Sequence, residues 1–151
     1  MKRALEGYLK IIEDFKEDKG VLAKAYYYAA TIYVMLSEGE KAEECCTKSI
    51  DCGKESGNIR CQVLSMTQLT VLKLNNMNDA LAANYVYEAL SLAIQNKDDD
   101  LIHTMYTLLA QIFESVEDYE TSIQYHRKGA EEFAKQYPDA KTTYVTTYGG
   151  R

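Results

Sequence analysis

The sequence lacks tryptophan and has one proline and two histidines among its 151 residues. Since proline is the residue that most strongly interrupts helices, long segments are free to be helical. No apolar run reaches the roughly 18 residues that a membrane-spanning helix needs. The chain turns charged at Glu13 and Asp14, which argues against a secretory signal. It also has no glycine-rich phosphate loop, nucleophile elbow or HExxH motif, so we expect no enzyme activity, no catalytic residue and no cofactor.

The charge balance is acidic, with 17 Lys and Arg against 23 Asp and Glu and a net charge of −6. Proteins that bind nucleic acids need clustered basic residues to neutralise phosphates, so neither a nucleic acid nor a membrane is expected as a partner. Apolar residues make up 46% of the chain, which is ordinary for a globular protein and too high for disorder. The length suits a single domain over 1–151.

The cysteines favour a reducing location. Their spacing, C-C-x5-C-x8-C, is not a usual zinc pattern, and His103 and His126 lie far along the chain. Disulfide frameworks belong to small secreted chains, which this one does not resemble. We therefore expect free thiols, no metal site and a cytoplasmic location, with a zinc site as the alternative. The four residues concerned are Cys45, Cys46, Cys52 and Cys61.

The chain matches itself when it is shifted by 40 residues. The match is one of residue types rather than identities, and it runs without a gap through three units. One column is broken, because Lys73 stands between Tyr33 and Phe113, where an apolar residue is expected. The matching columns are Tyr26, Met66 and Tyr106; Ala29, Leu69 and Leu109; Ala30, Thr70 and Ala110; Ile32, Leu72 and Ile112; Ala42, Ala82 and Ser122; and Ser49, Ala89 and Gly129.

The residue pattern of each unit predicts two helices joined by a polar turn. In the first unit, apolar residues from Leu22 to Leu36 recur every three or four positions and so share one helical stripe. The turn that follows contains Gly39, which we expect to take a positive φ. The predicted segments are a flanking helix at 2–18, repeats at 21–57, 58–97 and 98–137, and the start of a further helix or a tail at 139–151.

Small residues mark the predicted helix crossings. Two antiparallel helices approach to about 8 to 10 Å only where the side chains at the crossing are small. Ala30 and Ala110 in first helices, with Ala42 and Ala82 in second helices, meet this need. One hairpin cannot cover its own apolar face, so we expect the hairpins to stack. Uncapped ends would expose apolar surface, which predicts a piece of a longer array or a homodimer formed through these ends.

This pattern resembles the tetratricopeptide repeat, which has small residues at positions 8 and 20 of its unit and an aromatic residue at position 11. The resemblance covers about 21–137, with a period six residues longer than the usual 34. It implies an all-α fold of antiparallel hairpins stacked as a right-handed superhelix. The residues that carry it are Ala30, Tyr33 and Ala42 in the first unit, Thr70 and Ala82 in the second, and Ala110, Phe113 and Ser122 in the third.

The resemblance also implies a peptide-binding groove along the concave face, lined by the first helix of each unit. Its hydroxyls and amide would pair with a peptide backbone. Tyr27 and Thr31 stand where carboxylate-clamping members of the family need Lys and Asn, so a C-terminal carboxylate is not the expected ligand. The alternative is that Tyr27, Thr67 and Thr107 are ordinary solvated helix positions. The implied groove residues are Lys24, Tyr27, Thr31, Thr67, Val71, Thr107 and Gln111.

The leading functional hypothesis is a protein- or peptide-binding scaffold that belongs to a larger regulator or adaptor. One alternative is an intracellular peptide-signal sensor, in which a bound peptide shifts the superhelix and an attached effector. The other is a small helical enzyme, which would need clustered carboxylates in a cleft. His103 and His126 are interpreted as packed histidines rather than general bases.

Overall fold

The computed structural model describes residues 1–75 and 78–137, and the regular elements in these ranges are all α-helices. The all-α fold expected from the sequence is therefore confirmed. The segment at 139–151, for which a further helix or tail is expected, lies outside the described residues. The helices are α1 (Lys2–Asp14), α2 (Lys19–Met35), α3 (Gly39–Ser56), α4 (Ile59–Asn75), α5 (Asp79–Gln95), α6 (Asp99–Ser115) and α7 (Tyr119–Gln136).

From α2 onward, each helix begins 20 residues after the one before it. The residue just before the helix usually caps it, because its side-chain oxygen accepts a bond from the backbone N–H three residues on, at 3.0 to 3.4 Å. Glu38, before α3, makes no such bond. Each cap contributes typically about 1 kcal/mol to helix stability. The capping residues are Asp18, Asn58, Asn78, Asp98 and Asp118.

Four of the connecting turns contain one residue with a positive φ, and its position corrects the expectation for Gly39. Ser37 takes the positive φ, at 59°, whereas Gly39 is the first residue of α3. Gly57, Lys97 and Glu117 also have positive φ values, and each directly precedes the residue before a helix. The turn lies where the sequence predicts it, but the left-handed residue is two positions earlier, because it must reverse the chain before the cap position.

The described helices fall into two compact units, which are larger than the 40-residue repeats: α1 to α4 form the first unit and α5 to α7 form the second. From here on, "unit" means one of these two groups of helices, and the 40-residue segments are called repeats. In the first unit, α2 packs against α1, α3 and α4, and α3 packs against α4. In the second, α6 packs against both α5 and α7. Because short connectors join these neighbours, α2–α3 and α6–α7 form the antiparallel hairpins expected for a helical repeat. The contact between α2 and α4 joins the first helices of two successive repeats.

The small residues predicted at the hairpin crossings are buried. Ala30, Ala42 and Ala110 are fully buried, and Ser122 is nearly so. The Ser122 hydroxyl on α7 donates a hydrogen bond of 2.8 Å to the Ala110 carbonyl on α6. A polar residue can therefore occupy this crossing without an unsatisfied donor.

A second buried polar pair ties α3 to both first helices of the first unit. The Ser65 hydroxyl on α4 donates to the Ser49 hydroxyl on α3 at 2.8 Å, and Ser49 donates in turn to the Ala23 carbonyl on α2 at 2.7 Å. Both serines are fully buried. The chain of bonds satisfies polar groups that would otherwise cost about 1 to 3 kcal/mol each in the core.

The broken repeat column at Lys73 has a direct structural explanation. The ammonium of Lys73, on α4, forms an ion pair with Glu43 of α3, and its side chain is only 15% exposed. The aliphatic stem is therefore largely covered, like the half-buried rings of Tyr33 and Phe113 at the equivalent positions of the other repeats, while the charged end is paired.

Two glycines in second helices give a matched test of this packing. A Cβ at Gly53 would lie 2.8 Å from Gln62 Cγ and 3.1 Å from the Asn58 carbonyl oxygen, whereas a Cβ at Gly129 would meet nothing closer than 3.6 Å. We expect Gly53→Ala to lower the free energy of unfolding by about 1 to 3 kcal/mol through overpacking. Gly129→Ala should raise it by up to about 1 kcal/mol through helix propensity.

Urea unfolding followed by circular dichroism measures both variants. Since they make the same chemical change in equivalent helices, the sign of the difference isolates the close approach of α3 to the start of α4. A Gly53→Ala protein as stable as Gly129→Ala would contradict the packing described here.

Candidate functional site

The structure gathers three of the predicted groove residues into one cleft. Thr31 lies on α2, and Thr67 and Val71 lie on α4, the two first helices of the first unit. These side chains line an apolar cleft of about 180 Å³, hereafter the α2–α4 cleft. Its lining residues are Thr31, Val34, Met35, Thr67, Gln68 and Val71.

Exposed apolar side chains dominate the cleft. Met35 is 60% exposed, Val71 40% and Val34 36%. A partner that covers these three aliphatic side chains removes their apolar area from water. This burial contributes favourable binding free energy, so the cleft is suited to an apolar partner.

The polar side chains of the cleft are held by bonds to each other and to the helix behind it. The Gln68 side-chain amide donates to the Thr31 hydroxyl on α2, and its carbonyl oxygen accepts a bond of 3.4 Å from the Cys46 thiol on α3. Thr31 in turn donates to the Tyr27 carbonyl at 3.1 Å. Gln68 thus bridges three helices and fixes the wall of the cleft before any partner arrives.

The threonine hydroxyls point their protons inward, along their own helices. Thr67 donates to the Val63 carbonyl at 2.9 Å, and Thr107 donates to the His103 carbonyl at 3.1 Å. A hydroxyl has one proton and two lone pairs. Toward a ligand, these threonines can therefore only accept hydrogen bonds. Of the pairing with a peptide backbone that the sequence predicts, this leaves bonds from peptide N–H groups and excludes bonds to peptide carbonyl groups.

The other predicted groove residues lie elsewhere. Lys24 lines a separate depression with Asp18 and Asn58, at the beginning of α2. The Tyr27 ring packs edge-on against Tyr28 at 5.3 Å between centroids. Thr107 and Gln111 are on α6 in the second unit, where Gln111 is exposed and Thr107 half-buried.

The aromatic row that includes Tyr27 continues onto α1. Tyr28 stacks on Tyr8 of α1, with ring centroids 5.3 Å apart. Tyr28 therefore belongs to the contact between α1 and α2, whereas Tyr27 packs against Tyr28 and lines no part of the α2–α4 cleft.

Sequence reasoning missed half of the cleft, namely Val34, Met35 and Gln68. Helical spacing could have found them, since Val34 and Met35 follow Thr31 by three and four positions and Gln68 precedes Val71 by three. The groove positions implied by the family resemblance include only one or two residues from each helical turn, so they do not include these neighbours.

The histidine with described contacts has a structural role. His103 Nδ1 lies 2.8 Å from the Gly129 carbonyl oxygen, which can only accept, so Nδ1 carries the proton. Its ring packs against Phe133 with centroids 5.4 Å apart. Within residues 1–75 and 78–137, no group of three or more His, Cys, Asp or Glu side chains is placed to hold a metal ion.

All four cysteines are free and buried. Burial, followed by the charges of Cys45 and Glu43, raises the pKa of the Cys46 thiol from 9.0 to about 12. Burial is also the main cause of the raised pKa values of Cys45, Cys52 and Cys61. Since the thiolate is the reactive form, these residues are poor nucleophiles in the folded chain.

The raised pKa of Cys46 predicts a pH-dependent stability. Below pH 9.0 the Cys46 thiol is neutral in both the folded and the unfolded chain, so its contribution to the free energy of unfolding is fully present. Above pH 9.0 the thiol ionises in the unfolded chain first. This contribution is therefore lost as the pH rises toward about 12. We expect the free energy of unfolding of the wild type to fall more steeply than that of Cys46→Ser, by about 1.4 kcal/mol per pH unit.

Urea unfolding of the two proteins across this pH range measures the difference. Serine keeps a donor for Gln68 but does not titrate, and the other three cysteines are common to both proteins. Parallel pH profiles would contradict the assignment of a buried, neutral Cys46 thiol.

Comparison with known proteins does not assign a family: no protein-family model matches the chain, and a search of curated proteins finds no significant match. None of the helices in the described ranges is both long and apolar enough to cross a membrane.

Proposed function

We propose that this chain is a protein- or peptide-binding scaffold of the tetratricopeptide type, which holds a partner segment in the α2–α4 cleft. The observation that carries the proposal is the row of exposed aliphatic side chains, Val34, Met35 and Val71, around a concavity between two first helices. Proteins bind helical or extended peptides through such pockets, with an apolar anchor residue supplying most of the affinity.

The chemistry of the cleft indicates which peptides fit. Its wall is prearranged by Gln68, so little ordering of the scaffold opposes binding. The Thr67 hydroxyl offers lone pairs to a peptide N–H, while its proton stays bonded to Val63. A segment with one aliphatic or aromatic anchor and an accessible backbone N–H is therefore the favoured ligand.

The buried free thiols bear on where such a scaffold would act. Four cysteines without a disulfide are stable in a reducing compartment and are at risk of oxidation outside it. We accordingly place the proposed scaffold in the cytoplasm.

Selection from a random linear-peptide display library on the immobilised full chain tests the proposal. Selected peptides should share an apolar anchor, and the double variant Met35→Asp/Val71→Asp should retain none of them. Ile123→Asp is the control, because Ile123 is an exposed aliphatic residue on α7, outside the cleft. Peptides that bind the double variant as well as the wild type would overturn the proposal.

A further inference from the structure

A second pocket lies in the first unit and shares no residue with the α2–α4 cleft. It has a volume of about 370 Å³ and is lined by residues of α1, of the connector that follows α1, of α2 and of α3. Its lining residues are Ile12, Lys16, Lys19, Leu22, Tyr26, Lys48, Asp51, Cys52 and Glu55. This volume falls within the range of about 300 to 1,000 Å³ that is usual for small-molecule sites.

The floor of this pocket is apolar and continuous with the core. Leu22 and Cys52 are buried members of a core cluster, and Ile12 and Tyr26 pack against that cluster as partly buried side chains. Tyr26 adds an aromatic surface to the floor. Such a floor can take up a ring or a short alkyl chain and remove it from water.

The rim of the pocket is rich in ammonium groups. Lys16, Lys19 and Lys48 face two carboxylates, Asp51 and Glu55. A third carboxylate, that of Glu44, lies outside the lining and pairs with Lys48, so the rim gathers ammonium groups without a large net charge. The pocket therefore combines an apolar floor with a lysine-rich rim.

The contacts of the rim leave its lysines accessible to an anion. Lys19 Nζ lies 3.6 Å from Glu55 Oε2, and both side chains are about half exposed. Lys48 Nζ is 3.1 Å from Glu44 Oε1 and 5.6 Å from the centroid of the Tyr26 ring. Ion pairs this exposed are weak, so an incoming anion can compete for these ammonium groups.

We propose that this pocket binds a small organic anion, in which a carboxylate, sulfonate or phosphate group is carried on a ring or short apolar chain. The anionic group lies among Lys16, Lys19 and Lys48, and the apolar body covers Leu22 and Tyr26. Because Lys48 already lies over the Tyr26 ring, it can contact the anion at the edge of a stacked ligand. The site is separate from the proposed peptide cleft and does not depend on it.

The probe that tests this proposal is 8-anilinonaphthalene-1-sulfonate, an aromatic sulfonate that fluoresces in apolar surroundings. The wild type should bind it saturably at one site. The triple variant Lys16→Gln/Lys19→Gln/Lys48→Gln should bind it about tenfold more weakly, since three exposed charge contacts are removed. N-phenyl-1-naphthylamine, the same ring system without the sulfonate, should bind both proteins alike.

The matched control is Lys10→Gln/Lys41→Gln/Lys54→Gln, which removes the same charge from exposed lysines of α1 and α3 outside the pocket. Circular dichroism melting confirms that both triple variants are folded. The control should bind the sulfonate within about twofold of the wild type. The proposal is overturned by equal weakening in both triple variants, by wild-type affinity in the pocket variant, or by a wild type that shows no saturable binding.

Discussion

Leu109→Ala is expected to lower the free energy of unfolding by about 2 to 5 kcal/mol. Leu109 is among the largest fully buried side chains and lies on α6, which packs against both other helices of its unit. Removing its three distal carbons leaves a cavity that the neighbouring helices cannot close without losing their own contacts. Leu69, at the equivalent position of α4, is nearly as buried.

Urea unfolding of Leu109→Ala is best compared with that of Leu9→Ala, because Leu9 on α1 is an exposed residue of the same type. Exposed positions of this kind usually change stability by about 0.5 kcal/mol or less. If the two variants were equally stable, Leu109 could not be part of the packed core.

Val71→Asp is expected to weaken the binding of a selected peptide by about a hundredfold, or about 2.7 kcal/mol. The substitution removes one aliphatic anchor contact and places a carboxylate in an apolar cleft, where covering it with a peptide costs desolvation energy. Val71→Ala, which only truncates the side chain, should cause a smaller loss. Fluorescence anisotropy of the labelled peptide measures both affinities.

Ile123→Asp provides the control for Val71→Asp, since it adds the same charge at an exposed aliphatic position of α7. Its affinity for the peptide should equal that of the wild type. Equal weakening by both substitutions would show that net charge, rather than the cleft, governs binding.

The repeat columns anticipated the core because burial is periodic in this fold. A position that is small or apolar every 40 residues has the same place in each repeat, and Ala30, Ala42, Ala82 and Ala110 are all fully buried. The column broken by Lys73 could not be anticipated, since its partner, Glu43, lies 30 residues earlier and on another helix. Pair contacts of this kind leave no periodic trace in the sequence.

The sequence predicted which segments are helical better than it predicted where each helix begins and ends. The signal for them was present as Asp or Asn at 20-residue intervals, namely Asn58, Asn78, Asp98 and Asp118. The 40-residue repeat concealed this shorter interval, because first and second helices differ in residue type while sharing their caps. The same turn geometry explains why Ser37 rather than Gly39 has a positive φ. In these turns the left-handed residue directly precedes the cap position, which is Glu38 for α3.

The candidate site was predicted in part, and the reason is geometric. Thr31, Thr67 and Val71 share the cleft because first helices of successive repeats lie side by side. Tyr27, only four residues from Thr31, packs instead against the neighbouring ring of Tyr28. The equivalent positions of the other repeats, such as Thr67 and Thr107, have no such ring pair, so the repeat pattern contains no information about this contact.

The most direct test of peptide binding in the α2–α4 cleft is the ¹³C methyl NMR spectrum of the methionines during titration with a selected peptide. Met35 lies exposed in the cleft, whereas Met66 and Met105 are buried in the core. We predict that the Met35 methyl signal shifts in proportion to the bound fraction, while those of Met66 and Met105 stay in place. A peptide that saturates the protein and leaves the Met35 signal unchanged would contradict the account.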